Sequence, residues 1–412
     1  NLRMEMAQLL GHANYAEYYL QRTMAQTTPR VYEFLDSYNR AVMPVAHREF
    51  EEVQAYARSV GFNEPLQKWD FAYFKTKWDG QNLQFNWDDV KPYLPVDNVI
   101  NETFAMVKRM WGLDFKINNE LPKYHPDLMP YEVFNEQGDV IAVMYMDLFE
   151  REGKAWGPMV SSLQDQSKMH GYSVIPVISF ICNFPAPHEE IPSLLSIFDL
   201  STFLHELGHA LHDIFSDVTY ASVSGLNVFR DFVELPSMLL QMWAFEKEYL
   251  RLVGRHYETG EPMPDDLLAK IYSARNDGRA LGLMQYSIPF CLLDLKYHEI
   301  TSPIMDNICD MEKTLLSNIS FFPIIEEQCH TANFRHIFNY GYAANYYSYD
   351  WSDMMAHDIF EVFKQNGIFD TETARRFARE ILAKGASEHP MQLFKNFMGR
   401  EMSMKAFLES FD

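Results

Sequence analysis

Apolar residues recur at helical spacing through the first part of the chain, over Tyr15 to Met24 and again from Pro29 to Ser59, with few residues that break a helix. The stretch Gln67 to Trp87 is dense in aromatics (Trp69, Phe71, Tyr73, Phe74, Trp78, Phe85 and Trp87), a face suited to packing on a helical layer. Pro92, Pro95 and the WGLDF segment at 111–115 mark connections. Between Tyr131 and Phe184 the period shortens to two. Tyr131-Glu132-Val133-Phe134 leads into a turn at Gln137-Gly138-Asp139, and Val140 to Leu148 returns as a hairpin partner. Ser173 to Phe180 is predicted as a third strand, and Pro176 within it argues for an edge position. Three or four strands thus make a small sheet, whose edge would be a docking line for an extended peptide. From Ser193 the pattern is helical again to the end, broken by loops near 216–227, 254–264, 321–323 and Gly341. The expectation is a mainly α protein with a small β-sheet: helical over 1–125, sheet over 126–192, helical over 193–412.

Composition narrows the function classes. The 412 residues carry 35 Lys and Arg against 57 Asp and Glu, a formal charge of −22, which repels nucleic acid and anionic membrane and attracts cationic peptides or metal ions. The same acidity could serve solubility alone. Hydrophobic content of 47% suits a folded enzyme, and apolar runs are broken by charges before membrane-spanning length, so no transmembrane segment is predicted. Cys182, Cys291, Cys309 and Cys329 form no CxxC pair and are expected as free thiols in a reducing compartment, consistent with a cytoplasmic protein. The first residues, Asn1-Leu2-Arg3-Met4-Glu5-Met6-Ala7, have neither an initiator Met nor a signal-peptide layout and read as a helix already under way, so an upstream segment is expected to be missing.

The chemistry concentrates at His205-Glu206-Leu207-Gly208-His209. Two imidazoles four apart rise on one helical face, and a carboxylate beside them can take a proton from water activated by a bound ion. A catalytic zinc takes three protein ligands and keeps one position open. Glu234 lies 25 residues beyond His209, far enough for a second helix to return antiparallel and present the third ligand. His212, one turn after His209, is a rival, though an awkward one, and is otherwise an outer or surface histidine. Arg230, one turn before Glu234, could meet a substrate carboxylate or pair with Asp231. Asp231 is in turn a candidate acceptor for a metal-bound imidazole. The motif could also be incidental to a helical scaffold. Farther on, Tyr342, Tyr346 and Tyr349 fall at i, i+4 and i+7, the spacing of one face of a single helix, with Tyr347 elsewhere. Such a stripe is either core or site; Gly341 and His336 before it point to a loop entering a cleft.

LHELGHALH followed by SGLNVFRDFVELPS resembles the thimet oligopeptidase and peptidyl-dipeptidase family of zinc metallopeptidases (family M3). The likeness continues upstream in WDFAYF, KPYLP, HPDLMPYEVF, YMDLFEREGK and CNFPAP, and downstream in ARNDGRALGLMQYSIPFCLLDLKYH and HIFNYGYAANYYSYDWS. It implies a zincin-like catalytic region in a two-lobed helical body with a deep channel, region 1–125 forming part of the wall and region 193–412 holding Zn2+ on the floor. It further implies hydrolysis of short peptides, by release of C-terminal dipeptides or by internal cleavage, with His205, His209 and Glu234 on zinc, Glu206 as base, and His336, Tyr342, Tyr346 and Tyr349 on substrate and oxyanion. Tyr349 is the first choice for the oxyanion, with His336 and Tyr342 gripping the peptide. Family members are longer at the N-terminus, so the rival expectation is a peptide-binding fragment with an impaired channel. Departures from the family are Asn339-Tyr340 in a normally glycine-rich stretch, Met238 for Gln, and Gln241 for Glu, which leaves an expected carboxylate neutral and should alter zinc affinity or pH dependence.

Overall fold

The N-terminal periodicity forms α1 (Leu2–Leu9), α2 (Tyr15–Leu20), α3 (Thr28–Ser59), α4 (Lys68–Asn82) and α5 (Val96–Trp111). These come from a computed structural model that describes residues 1–83, 85–154, 157–169, 171–317, 319–338 and 341–411. In α3, Pro29 sits in the first turn, where its missing N–H costs nothing, while Pro44 lies inside the helix. The amphipathic α5 stops at Gly112, whose φ of +76° supplies the left-handed cap.

The strands are β1 (Asp114–Ile117), β2 (Met129–Phe134), β3 (Val140–Phe149), β4 (Met159–Gln164) and β5 (Val177–Phe184), so the sheet begins upstream of residue 126. Their order is β1-β2-β3-β5-β4, antiparallel except for the parallel β3–β5 pair. The β2–β3 turn closes as the sequence suggests, with Asn135 Oδ1 accepting from the N–H of Gln137 and Asp139. The expected edge position of 173–180 is wrong. The strand starts only after Pro176 and runs between β3 and β4, and the Pro176 carbonyl accepts from Val143 N–H at 3.0 Å, a role that needs no donor. The free edge on that side is β4, whose polar Ser161-Ser162 pair hides it from a hydrophobicity scan.

The helical remainder runs α6 (Ile197–Phe215), α7 (Arg230–Val233), α8 (Leu235–Gln241), α9 (Lys247–Val253), α10 (Asp265–Ala274), α11 (Arg279–Gly282), α12 (Ile288–His298), α13 (Ile308–Leu316), α14 (Arg335–Phe338), α15 (Ser348–Asn366), α16 (Thr371–Glu380), α17 (Pro390–Met398) and α18 (Lys405–Glu409). One buried cluster joins all three regions, from Ala16 and Tyr38 through Phe180 and Phe203 to Trp351 and Phe407. Among the described residues no helix is long and apolar enough to cross a membrane.

The junction of β3 with β5 is tied by a buried ion cluster. Asp147, 3% exposed, accepts from Arg151 Nη1 at 2.5 Å and Nη2 at 2.7 Å and from Tyr124 Oη at 2.6 Å. Lys154 Nζ lies 3.0 Å from its carboxylate and also donates to the Asp147, Phe149 and Cys182 carbonyls. Burial pushes this carboxyl up, but the bonds from Arg151, Tyr124 and Lys154 outweigh it and hold it below the usual range. Asp147→Ala, which strands Lys154 without its charge partner, should therefore lower stability by about 3 kcal/mol in denaturant titration at pH 7. Because the folded-state pKa is depressed, that contribution is fully present above the ordinary carboxylate value of about 4 and is lost progressively below it, as pH falls toward the depressed folded value. A difference between the two proteins that persists undiminished at pH 2 would contradict this.

The expectation of four free thiols fails for one pair. Cys309 and Cys329 form a disulfide across Cα atoms 5.2 Å apart, while Cys182 and Cys291 are free and buried. The spacing of 20 residues gives no hint of it. Glu312, one turn after Cys309, accepts from the N–H of His330 and Thr331 and so folds the Cys329 strand of chain back onto α13.

Candidate metal centre

Helix α6 is started by a reciprocal cap, Ser196 Oγ accepting from Asp199 N–H while the Asp199 carboxylate accepts from Ser196 N–H. It then carries His205, Glu206 and His209 under the sheet. Helix α8 crosses at Gly208, where an added Cβ would lie 2.4 Å from the Pro236 carbonyl oxygen. Glycine in the motif is thus what lets the segment bearing Glu234 approach the histidines.

Glu234 Oε2 lies 3.3 Å from His205 Nε2 and 3.1 Å from His209 Nε2. Ligand atoms at the vertices of a tetrahedron about 2.05 Å from its centre are separated by about 3.3 Å, so both contacts of Glu234 have the spacing of a zinc-sized coordination shell, and the three ligand atoms lie within 4.8 Å of one another. These three residues are the group of His, Cys, Asp or Glu that could hold a metal ion among the described residues, and a two-imidazole, one-carboxylate set suits zinc. Glu234 is 4% exposed, whereas the imidazoles retain 19% and 12%, leaving the open side toward solvent. Burial would raise the Glu234 carboxyl, but His209 and His205 beside it hold it well below the ordinary value.

Each candidate ligand has its own support. His205 Nδ1 meets Gln241 Oε1 at 3.0 Å, and Gln241 Nε2 points to Met238 Sδ at 3.4 Å, which fixes the amide so that Nδ1 is the donor and Nε2 is left for a metal. The two residues noted as unusual in the sequence therefore act together. Ser237 Oγ donates to Glu234 Oε2 at 3.0 Å, and Tyr342 Oη to Glu234 Oε1 at 2.7 Å. Ser237 was not singled out from sequence, and a small hydroxyl beside a carboxylate gives little signal. Asp231 is not the imidazole acceptor it was expected to be. Its oxygens accept from the N–H of Met24 and Ala25 and from Tyr347 Oη, tying the ligand segment to the N-terminal helices. His212 is neither ligand nor surface residue: it is fully buried against Phe232, with no partner for either ring nitrogen among the described residues, and burial lowers it to about 3.

Glu206 is 3% exposed, and its Oε2 has no hydrogen-bond partner among the described residues. Burial raises its pKa, while His205, His209 and the backbone N–H of Val160 on β4 oppose the shift.

The tyrosines converge, but not on one helix. Tyr342 and Tyr346 lie in an irregular segment after Gly341 (φ +83°), and α15 begins only at Ser348. A turn brings the rings together: Tyr342 and Tyr349 stack at 5.0 Å, Tyr346 meets Tyr349 at 5.6 Å, and the His336 ring lies 5.9, 5.8 and 6.3 Å from those of Tyr342, Tyr346 and Tyr349. Burial and the nearby Glu234 push the Tyr342 and Tyr349 phenols far up, so both stay protonated donors. Arg230 does not pair with Asp231; its guanidinium stands 5.5 Å over the Tyr342 ring on the exposed side. Asn339 and Tyr340 lie outside the described residues.

The sequence pattern of Peptidase family M3 matches residues 1–412. The chain belongs to peptidase family M3. Oligopeptidase A of Escherichia coli (strain K12) is 35% identical over 417 residues, covering 100% of this chain and 61% of that protein. Dipeptidyl carboxypeptidase of the same strain is 31% identical over 411 residues, covering 99% and 60%. The chain thus spans about three fifths of the length of these M3 relatives. Among solved structures, a Pyrococcus furiosus carboxypeptidase superposes with a TM-score of 0.56 at 12% identity, over 100% of this chain and 71% of that one. An M32 carboxypeptidase from Deinococcus radiodurans gives 0.57 at 12%, over 99% and 71%. At that identity they share the fold with this M3 chain and nothing finer.

Proposed function

We propose that the chain hydrolyses peptide bonds of short peptides, with Zn2+ held by His205, His209 and Glu234. The observation that carries this reading is the meeting of three ligand atoms, with both Glu234 contacts at tetrahedral spacing, beside a buried Glu206 carboxylate that has one oxygen without a partner among the described residues. A zinc ion held there would polarise the scissile carbonyl and acidify the attacking water. Glu206 takes the proton of that water and returns it to the leaving amine, for which a raised carboxyl is suited. The outer edge of β4 offers unpaired backbone groups on which an extended peptide can add as a strand, and Val160 on that strand lies against Glu206. From the opposite side Tyr349 donates to the oxyanion, with Tyr346 and His336 lining the path. Tyr342 is already engaged with Glu234, so it orients the ligand as well as facing substrate. Arg230 is exposed and placed to meet a substrate carboxylate.

Removal of one oxyanion donor by Tyr349→Phe should lower kcat by about 10²-fold with KM changed far less. Steady-state kinetics on a fluorogenic peptide measure this, and a defect confined to KM would reassign Tyr349 to ground-state binding. The reading as a whole is tested by mass spectrometry of products from one short peptide with free and with amidated C-terminus. Zinc-dependent fragments are expected; dipeptides from the free acid alone identify a peptidyl-dipeptidase, internal fragments from both an oligopeptidase. A zinc-loaded chain that binds peptide without cleaving it would instead be a binding fragment.

A further inference from the structure

Asp294, on α12, is 1% exposed and has no part in the metal site, yet both its carboxylate oxygens are spent on the backbone of the tyrosine segment. Oδ1 accepts from Ala344 N–H at 2.8 Å and Oδ2 from Tyr346 N–H at 2.9 Å. Ala344 stands at φ +59°, a left-handed conformation that a residue with a Cβ adopts only at a cost. That one residue reverses the chain between Tyr342 and Tyr346. The Asn345 N–H closes the turn on the Tyr342 carbonyl at 3.0 Å, and the Tyr342 and Tyr346 rings both lie against those of Tyr349 and His336.

The clasp extends outward. His298 Nδ1 lies 2.8 Å from Asp294 Oδ1 and from the Asp294 carbonyl. Arg3 reaches His298 Nε2 at 3.1 Å and donates to the carbonyls of Ile337 at 2.7 Å and Phe338 at 3.0 Å. A guanidinium can only donate, so Nε2 accepts and Nδ1 carries the hydrogen that faces Asp294. Tyr19 Oη adds a contact to the Gly341 carbonyl at 3.4 Å. Residues 336–338 and 341–346 are therefore gripped along their backbone by α12 and by the first twenty residues, while the His336, Tyr342 and Tyr346 rings are left to the site.

We propose that Asp294 is the positioning residue of this site: it holds the left-handed turn at Ala344 and thereby sets the oxyanion-side tyrosines. This rests on the peptidase reading above for its kinetic consequence, and the experiment separates the two. In Asp294→Asn one oxygen becomes an amide that cannot accept from the second N–H. Hydrogen–deuterium exchange of the amides in 342–349 should quicken at least about 10-fold, with stoichiometric zinc retained. In the same protein kcat should fall about 10²-fold with KM within a few-fold, the effect of misplacing a reacting group by about 1 Å. Adding Ala344→Gly, which removes the strain the clasp must hold, should restore part of the lost kcat; a merely structural defect would gain nothing from it. Exchange and kcat both unchanged in Asp294→Asn overturn the proposal, as does the absence of any rescue. If the unaltered chain cleaves no peptide, the peptidase reading fails and the exchange arm still decides the clasp. Should Asp294→Asn not fold, Arg3→Met unties the same clasp from its outer end, and unchanged exchange over 336–346 there is equally fatal to it.

Discussion

Glu206→Gln is expected to bind one zinc per chain and to lose about 10²–10⁴-fold in kcat on a short peptide. The substitution keeps the volume of the side chain, and the amide oxygen can still accept from Val160 N–H, so the packing between α6 and β4 has no reason to change. What is lost is the group that receives the proton. Glu206 is almost fully buried, and one oxygen has no partner among the described residues, so in the resting fold its charge carries a desolvation cost that His205, His209 and the Val160 N–H offset only in part. Removing that charge should leave the melting temperature unchanged or raise it. This combination separates a base from a scaffold residue: activity falls while metal content and stability hold. Turnover by Glu206→Gln within a few-fold of the unaltered chain would remove Glu206 from the chemistry, whatever its burial.

How far the sequence revealed this site differs from residue to residue, for physical reasons. His205, Glu206 and His209 were legible because helix geometry fixes what residues four apart can do. Glu234 was legible as a return carboxylate at a workable distance, but not the reason it arrives, which is the bare backbone of Gly208 under Pro236. The tyrosines come together as a set, but not by the geometry their spacing suggests. Spacing at i, i+4 and i+7 suits a helix, whereas the rings meet through a turn enforced by Asp294, fifty positions earlier in the chain and invisible to any local period. In the same way Asp231 looked like an imidazole acceptor by proximity to Glu234, and Gln241 holds that place because α8 turns its end toward His205. The sheet was recognised by its hydrophobic strands and missed at both edges. Polar β4 and short β1 lack the alternation that marks a half-buried strand. Long-range pairings, the Cys309–Cys329 bridge among them, leave no trace in spacing.

Glu234→Ala should weaken zinc binding by roughly 10²–10³-fold, one ligand's share of the about 10–16 kcal/mol of a four-ligand site. Glu234 Oε2 is the only atom of the three that faces both imidazoles, and its loss leaves two nitrogens on one helical face with no acid to complete the shell or offset the ion's charge. A graded series follows from the contacts outside the ligands. Tyr342→Phe removes the bond to Glu234 Oε1, and Gln241→Ala the acceptor on His205 Nδ1; each frees a ligand to rotate without removing it, which should cost about 10–100-fold in affinity. Competition with a chromophoric chelator measures all four proteins on one scale, and zinc per chain after dialysis gives an independent reading. The order expected is unaltered chain tightest, then Tyr342→Phe and Gln241→Ala, then Glu234→Ala. Because Gln241 is neutral, restoring a carboxylate by Gln241→Glu should tighten the site relative to the unaltered chain, since an anionic acceptor strengthens the hydrogen bond to His205 Nδ1 and makes the imidazole a better donor to the metal. Full zinc retention by Glu234→Ala would mean that a residue other than Glu234 completes the shell, and the tetrahedral spacing seen at Glu234 Oε2 would then have to be an ordinary ion pair between a carboxylate and two histidines.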